Sequence, residues 1–400
     1  MTFRASQFGC VVWLCICAFA PGESAVAAQF QGLGDFLGGD FSSAVRGVSG
    51  NGAVVVGFGT PAGANAEGYR WTPQGGLSGI GFLNDPTQSS RAFAASFDGQ
   101  VIVGSATTPQ GGRAIRQVAS GALMDLGDLE NGAGSSSAYG VSADGSVVAG
   151  SSSFGFGSNT QAFRWEDSSG IIGLGMLPGF TNGSSAWGIS ASGEMIVGSS
   201  LGINQARQAY KWTQAGGMVA LGDLPGGDVK SVAKAVSADM RVIVGQGHSD
   251  EGFLAVRWTE AGGIESLGDL PGGLTASAAN AVNGDGSVIV GGSLSSVGTQ
   301  AMIWTEDKGM RSLQSVLVND YGLGAELLGW RLLEAQAISQ DGLTIAGDGL
   351  NPNGLHEGWV VRIPEPTTAT MTLLAGAILL TRRRRRAGAV ARSGTESGPG

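Results

Sequence analysis

Side chains able to do covalent chemistry are few in this chain. His248 and His356 are the only histidines. Neither belongs to a His-x-x-x-His pair, and no Gly-x-Ser-x-Gly elbow presents a serine nucleophile. All three cysteines, Cys10, Cys15 and Cys17, lie in the first 20 residues. Removal of a leader there would leave no thiol for catalysis, disulfides or metal. Asp98, Asp144, Asp239, Asp285 and Asp341 form a periodic carboxylate series. Each stands directly before Gly, or before Met240 in one case, where Asp bonds its own backbone in a hairpin turn. No Asp-x-Asp-x-Asp loop with a following Glu offers calcium a site. Asp128, Asp223 and Asp269, in Leu-Gly-Asp-Leu phrases, have the same structural explanation. Gly-rich stretches such as Gly216-Gly217 lack the Lys and helix of a phosphate loop. No metal and no cofactor is expected. A carboxylate pair assembled across repeats, as in a glycosidase, stays open, because such partners are distant in sequence.

A second set of residues is chemically richer. Two positions before the Val of a recurring Val-Ser phrase, or its equivalent, stand Arg46, Phe93, Tyr139, Trp187, Lys234, Asn280 and Gln336. Their neighbours are Ala, Gly and Ser, which suits the innermost strand of a ring. On that reading the seven line a central channel, three aromatics beside four polar groups, a mixture fitted to a saccharide or a peptide end. The competing reading is variable packing between repeats. Trp71, Trp165, Trp212, Trp258, Trp304 and Trp359 behave differently: they recur at one repeat position, with Gln117 in the second copy. A large aromatic repeated in place packs between units rather than stacking on sugar.

The elements that must position these residues are repeats. An apolar run ends in Gly57, Gly104, Gly150, Gly198, Gly245, Gly291 and Gly347, at spacings of 47, 46, 48, 47, 46 and 56. Each copy also carries an Ala-Phe-Arg-Trp-like strand, clearest at Ala162-Phe163-Arg164-Trp165, and a Leu-Gly-Asp-Leu-Pro-Gly-Gly phrase, clearest at 221–227 and 267–273. Val and Ile runs bounded by Asp-Gly signal strands and hairpins. Four short strands per copy, seven times over, is the arithmetic of a β-propeller. The expected fold is therefore all-β, a seven-bladed β-propeller over residues 29–363, with an open β-solenoid as the alternative. The seventh copy lacks its Leu-Gly-Asp-Leu strand, and an orphan copy lies at Leu33-Gly34-Asp35-Phe36-Leu37. That N-terminal strand is expected to complete the last blade and remove the open edges. The longest spacing holds an insertion, with a short helix expected within Ser312 to Tyr321.

The two ends carry addresses. Arg4, a short apolar core from Val11 to Ala20, and Ala25-Val26-Ala27-Ala28 have the form of a cleavable signal peptide over residues 1–28. At the other end stand Pro364, Glu365 and Pro366, then an apolar, Thr-rich stretch at 367–381. Arg382, Arg383, Arg384, Arg385 and Arg386 follow, and a disordered tail is expected at 387–400. The stretch is short for a transmembrane helix, and the Arg run should stay cytoplasmic by the positive-inside rule. Everything before it would lie across the membrane.

Charge narrows the partners. The net charge is −9, and the repeats are more acidic still once the Arg run is set aside. Such a surface repels phosphates and carries no basic stripe, which argues against nucleic acid. Glycine is abundant at 71 residues, yet 42% of the chain is hydrophobic, enough to bury a core.

The C-terminal trio of Pro-Glu-Pro, apolar stretch and Arg run resembles the PEP-CTERM sorting signal of Gram-negative, exopolysaccharide-producing bacteria. The resemblance implies processing by an exosortase-type enzyme near Pro364-Glu365-Pro366. The 14-residue extension beyond the Arg run departs from the family pattern. The repeat phrases across residues 31–362 resemble the HAF family of extracellular repeats, which implies a location and a shape but no reaction. The expectation is an exported cell-surface or exopolysaccharide-associated repeat protein. It is expected to act as a non-enzymatic binding or scaffold module, anchored transiently or stably through its tail. Its partners would be the processing enzyme, exopolysaccharide or another envelope component, and the membrane. The alternative is a propeller enzyme, a lyase or glycosidase acting on polysaccharide.

Overall fold

The computed structural model describes residues 27–36, 38, 42–129, 134–154 and 159–364. The signal segment up to residue 26 lies outside the described residues. So does the sorting tail after Pro364, with Glu365, Pro366 and Arg382 to Arg386. Among the described residues, 28 strands, one α-helix and one 3-10 turn form the regular structure. No helix there is long and apolar enough to cross a membrane.

The strands fall into antiparallel sets of four, and the third set shows the plan. Ser136–Val141 pairs with Val147–Ser153, which pairs with Thr160–Glu166, which pairs with Gly170–Gly173. The phrase Val141-Ser142-Ala143-Asp144-Gly145 makes the first turn. The Ser142 hydroxyl donates to Asp144 Oδ1 at 2.6 Å and accepts the Val147 amide at 3.0 Å, while Gly145 takes a φ of 75°. A side-chain alternative to backbone pairing is what makes Ser and Asp strong turn residues. The first strands of the other sets are Ala44–Val48, Ser90–Ala95, Gly183–Ile189, Val232–Val236, Gly272–Val282 and Arg331–Ile338.

Neighbouring sets pack through their first strands, and the seventh packs on the first. A buried serine ties six of the seven junctions, and Leu333 stands at its place in the seventh set. Ser136 accepts the Ala114 amide at 2.9 Å and donates to the Gly127 carbonyl at 2.6 Å. Ser43 does the same across the ends of the chain, accepting from Gly358 at 3.1 Å and donating to Gly34 at 2.7 Å. Leu33, Val45, Tyr69 and Trp71 from the start of the chain share an apolar cluster with Ala346 and Val360. Trp71, Trp165, Trp258 and Trp304 are buried at one register position, Trp212 is half-buried there, and Gln117 fills the place in the second set by donating to the Ile80 and Gly121 carbonyls. Trp359 departs from the expected position: it pairs with the closing Gly347, where Tyr69, Phe163 and Tyr210 stand in other sets, and Val361 takes the tryptophan place.

The strand that completes the seventh set is Gln29–Gly32, paired with His356–Arg362. This corrects the expected strand at 33–37 by four residues. Gly34 has a φ of 73°, which breaks a strand, and Asp35 accepts the Phe36 amide at 2.8 Å in the turn that follows. The other copies agree: Gly217–Ala220 is a strand and the Leu221-Gly222-Asp223 phrase after it is a turn. The insertion contains helix α1, Leu313–Asn319, capped by the Ser312 hydroxyl and burying Leu313, Val316 and Leu317.

Candidate functional site in the channel mouth

Each first strand carries an extra residue against its partner at the same repeat position, and Gly272–Val282 and Arg331–Ile338 have a second irregularity nearer their starts. The pairing register shifts between Val45 and Gly47, Ala92 and Ala94, Ala138 and Gly140, Ala186 and Gly188, Ala233 and Ala235, Ala279 and Ala281, and Ala335 and Ala337. The residues skipped are Arg46, Phe93, Tyr139, Trp187, Lys234, Asn280 and Gln336. A β-bulge leaves its extra residue out of the ladder and re-aims its side chain. All seven line one cavity of about 450 Å³, together with Arg207, Val232 and Gln246.

The local sequence explains why the bulge sits there. The residue before each bulge is Ala or Val and is fully buried. The residue after it is Ala or Gly, where neighbouring strands crowd: a Cβ on Gly188 would stand 2.6 Å from the Lys234 carbonyl oxygen. Opposite the bulge lies the closing glycine of each repeat. A Cβ on Gly57, Gly104, Gly150, Gly198, Gly245, Gly291 or Gly347 would fall 1.9 to 2.0 Å from a first-strand carbonyl oxygen. Only glycine allows that approach.

Two arcs make up the mouth. Phe93, Tyr139 and Trp187 form a contiguous aromatic arc, with ring centroids 5.4 Å and 4.9 Å apart and planes tilted by 33° and 39°. The indole of Trp187 donates to Ser199 Oγ at 3.3 Å. The remaining residues form a hydrogen-bonded polar arc. Lys234 Nζ donates to Asn280 Oδ1 at 2.7 Å, and Asn280 Nδ2 donates to Glu334 Oε1 at 2.8 Å. Gln336 Nε2 stands 3.1 Å from both Glu334 Oε2 and Asp348 Oδ2, and Arg46 pairs with Asp348 at 3.1 Å. Burial pushes the Asp348 carboxyl above its usual range, against the Val45 amide, Arg46 and Gln336, which lower it. Burial likewise pulls the Lys234 ammonium down, against the charge of Glu334, which raises it.

Two positions further along the first strands, Val48, Ala95, Val141, Ile189, Val236, Val282 and Ile338 line a smaller cavity of about 150 Å³. Beyond the mixed aromatic and polar mouth the first strands thus turn aliphatic side chains to this second cavity, which Gly50, Gly284 and Gln340 also line.

The sequence reading named the seven bulge residues but not the carboxylates behind them. Asp348 directly follows the closing Gly347, so reading the next position of each repeat would have found it. Glu334 stands two residues before Gln336 on the same strand. Room for it comes from Gly292, where a Cβ would lie 3.2 Å from its side chain. The turn aspartates are elsewhere, held by Ser hydroxyls and backbone amides as in Ser96 to Asp98 at 2.8 Å. His248 stacks on Phe253 with centroids 4.6 Å apart, outside the channel lining.

No family model matches the chain, and no curated protein matches it. Solved structures do. The chain is similar to a prolyl endopeptidase (14% identity, 82% of this chain, 50% of that chain, TM-score 0.52). It is also similar to an oligogalacturonate lyase from Vibrio parahaemolyticus (10%, 86% and 98%, 0.50) and to the β-propeller domain of the trilobed protease from Pyrococcus furiosus (11%, 80% and 95%, 0.50). The chain spans half the length of the prolyl endopeptidase. At these identities the likeness concerns the fold alone: four-stranded sheets arranged as the blades of a β-propeller.

Proposed function

We propose that this chain is an exported, non-enzymatic binding propeller of the cell surface or its exopolysaccharide, which takes a saccharide in its channel mouth. One observation carries the reading. Seven bulges, one per blade, deliver seven different side chains to a single cavity while the residues around them stay Ala, Val or Gly. A scaffold held constant and a lining varied blade by blade is the arrangement of a binding site. Closure into a seven-bladed ring is supported by the Gln29–Gly32 strand and by the Gln340 amide, which donates to the Gly50 carbonyl at 2.9 Å. The stacked aromatics offer faces to pyranose rings, and Asn280 and Gln336 offer amides to hydroxyls. The test is a glycan array with the full chain, repeated with Tyr139→Ala and Trp187→Ala together. Loss of every bound glycan in the double variant supports the reading, and unchanged binding refutes it.

Export and sorting complete the proposal. The Pro364-Glu365-Pro366 tail with its Arg run is the address, and an exosortase-type enzyme is the partner that processes it. Deleting residues 364–400 should release the protein from the envelope fraction in the native host.

A second reading is a polysaccharide-acting enzyme, a lyase or glycosidase. It is favoured by Glu334 and Asp348, two carboxylates that share the Gln336 amide. Both stand behind the lining with their oxygens already bonded, which favours binding over chemistry. Depolymerisation by the wild type that vanishes in both Glu334→Gln and Asp348→Asn would reverse that preference.

A further inference from the structure

We infer that the saccharide taken by this mouth is acidic, and that its carboxylate docks on Lys234 and Arg207 beside the Trp187 end of the aromatic arc. The inference rests on the saccharide-binding reading and deepens it.

The charge balance of the lining is the first reason. The chain has 32 acidic and 23 basic residues, so an average patch of its surface is negative. The cavity is the reverse. It is lined by Arg46, Arg207 and Lys234, and no carboxylate is among its lining residues. Glu334 and Asp348 stand behind that lining.

The three cations are not equivalent. Arg46 is neutralised by Asp348 at 3.1 Å and also donates to the Val45 carbonyl at 2.6 Å. Lys234 and Arg207 form no ion pair within 4.0 Å among the described residues. Lys234 gives one of its three donors to a neutral oxygen, Asn280 Oδ1. The carboxylate whose charge acts on the ammonium, Glu334, already accepts from Asn280 and Gln336. An ammonium withdrawn from water with one neutral partner is an electrostatic cost that an arriving anion relieves. Arg207 lies at the rim above it: its carbonyl accepts the Ser231 amide at 2.9 Å, three residues from Lys234.

Position joins the charge to the rings. Trp187 and Lys234 occupy equivalent bulges of adjacent blades, whose backbones meet at Gly188 and the Lys234 carbonyl. A pyranose lying on Trp187 and Tyr139 would hold a substituent on its edge toward the ammonium. A uronate places its carboxylate on the ring edge in that way. Guanidinium and ammonium donors to a carboxylate form charge-assisted hydrogen bonds, stronger than those to a neutral hydroxyl.

Isothermal titration of the full chain tests this with hexasaccharides of mannuronate and of galacturonate, each beside its carboxyl-reduced neutral counterpart. One acidic hexamer is expected to bind at least about tenfold tighter than its reduced form, with the difference shrinking as salt rises. Lys234→Met should abolish that preference, the acidic hexamer then binding no tighter than its reduced form. Arg207→Gln, at an exposed position, should weaken it in the same direction and guards against misfolding in the first variant. Trp187→Ala should weaken acidic and neutral hexamers alike. Equal binding of acidic and reduced hexamers overturns the inference and leaves the saccharide reading intact. If no hexamer binds, while a peptide with a free C-terminal carboxylate does, both fall.

Discussion

Val45 in the first blade donates its backbone amide to Asp348 Oδ1 in the seventh, at 2.7 Å. The bond joins residues 303 apart in sequence. The other oxygen of Asp348 receives Arg46 and Gln336, each at 3.1 Å. One carboxylate therefore serves the junction between the ends of the chain and the polar arc of the channel mouth at once.

Replacing Asp348 by Ala should lower stability by about 2 kcal/mol, because the amide of the buried Val45 loses its acceptor. Asp348→Asn keeps an acceptor and loses only the charge, so its cost should be smaller. Urea unfolding midpoints distinguish the two. The pH dependence has a definite sign. The folded-state carboxyl is raised, so its contribution is full below the ordinary Asp value of about 4 and declines as pH rises through the raised value. Asp348→Asn should remove that decline, which a comparison of midpoints at pH 4 and pH 7 would reveal.

Gly150→Ala should cost about 3 kcal/mol, at the upper end for overpacking. The added Cβ would stand 2.0 Å from the Ser137 carbonyl oxygen, and Phe163 closes the other side at 2.8 Å. Thermal unfolding would show a larger drop than for Gly76→Ala, where a Cβ meets nothing within 4 Å and only the φ of 63° costs, about 1 kcal/mol.

Removing residues 29–32 should raise the protein's tendency to self-associate. The deletion bares the edge of His356–Arg362, which now pairs with that strand from Gln29 to Gly32. It also takes Phe30 from between Trp330 and Trp359, at centroid distances of 5.2 and 6.3 Å. Light scattering during size-exclusion chromatography would read the change, and a mass distribution like that of the intact chain would count against the closing role of this strand.

Acid should loosen the turns between first and second strands. Hydrogen bonds from backbone and hydroxyl donors hold Asp98, Asp144 and Asp285 below the usual carboxylate range, led by the Gln100 amide, the Ser142 hydroxyl and the Ser287 hydroxyl respectively. Depressed values mean stability that is present above about pH 4 and lost as pH falls through them. The triple variant with Asn at these positions should show a flatter unfolding midpoint between pH 2 and pH 5.

Much of this architecture is written locally. The turn phrase Ser142-Ala143-Asp144-Gly145 closes through bonds within a few residues, so any copy of it in the sequence announces a hairpin. The closing glycines announce a place without room for a Cβ. The small residues flanking Trp187 or Lys234 mark the bulge, and that pattern was enough to single out the seven channel residues. The placing of the closing strand was less legible. The Leu-Gly-Asp phrase is the more conspicuous marker, but it belongs to the turn, while the strand before it is the plainer Gln29-Phe30-Gln31-Gly32.

By itself, then, the sequence determined the repeat, its strands and its turns, since these depend on interactions within about 50 residues and recur with each copy. It also determined which position of the repeat varies. Only the tertiary structure decided what that variation amounts to. Phe93, Tyr139 and Trp187 become one arc, and Lys234, Asn280 and Gln336 one network with Glu334 and Asp348, because bulges on separate strands converge on a common channel. Distances between blades depend on how sheets twist and pack, and no single repeat encodes them.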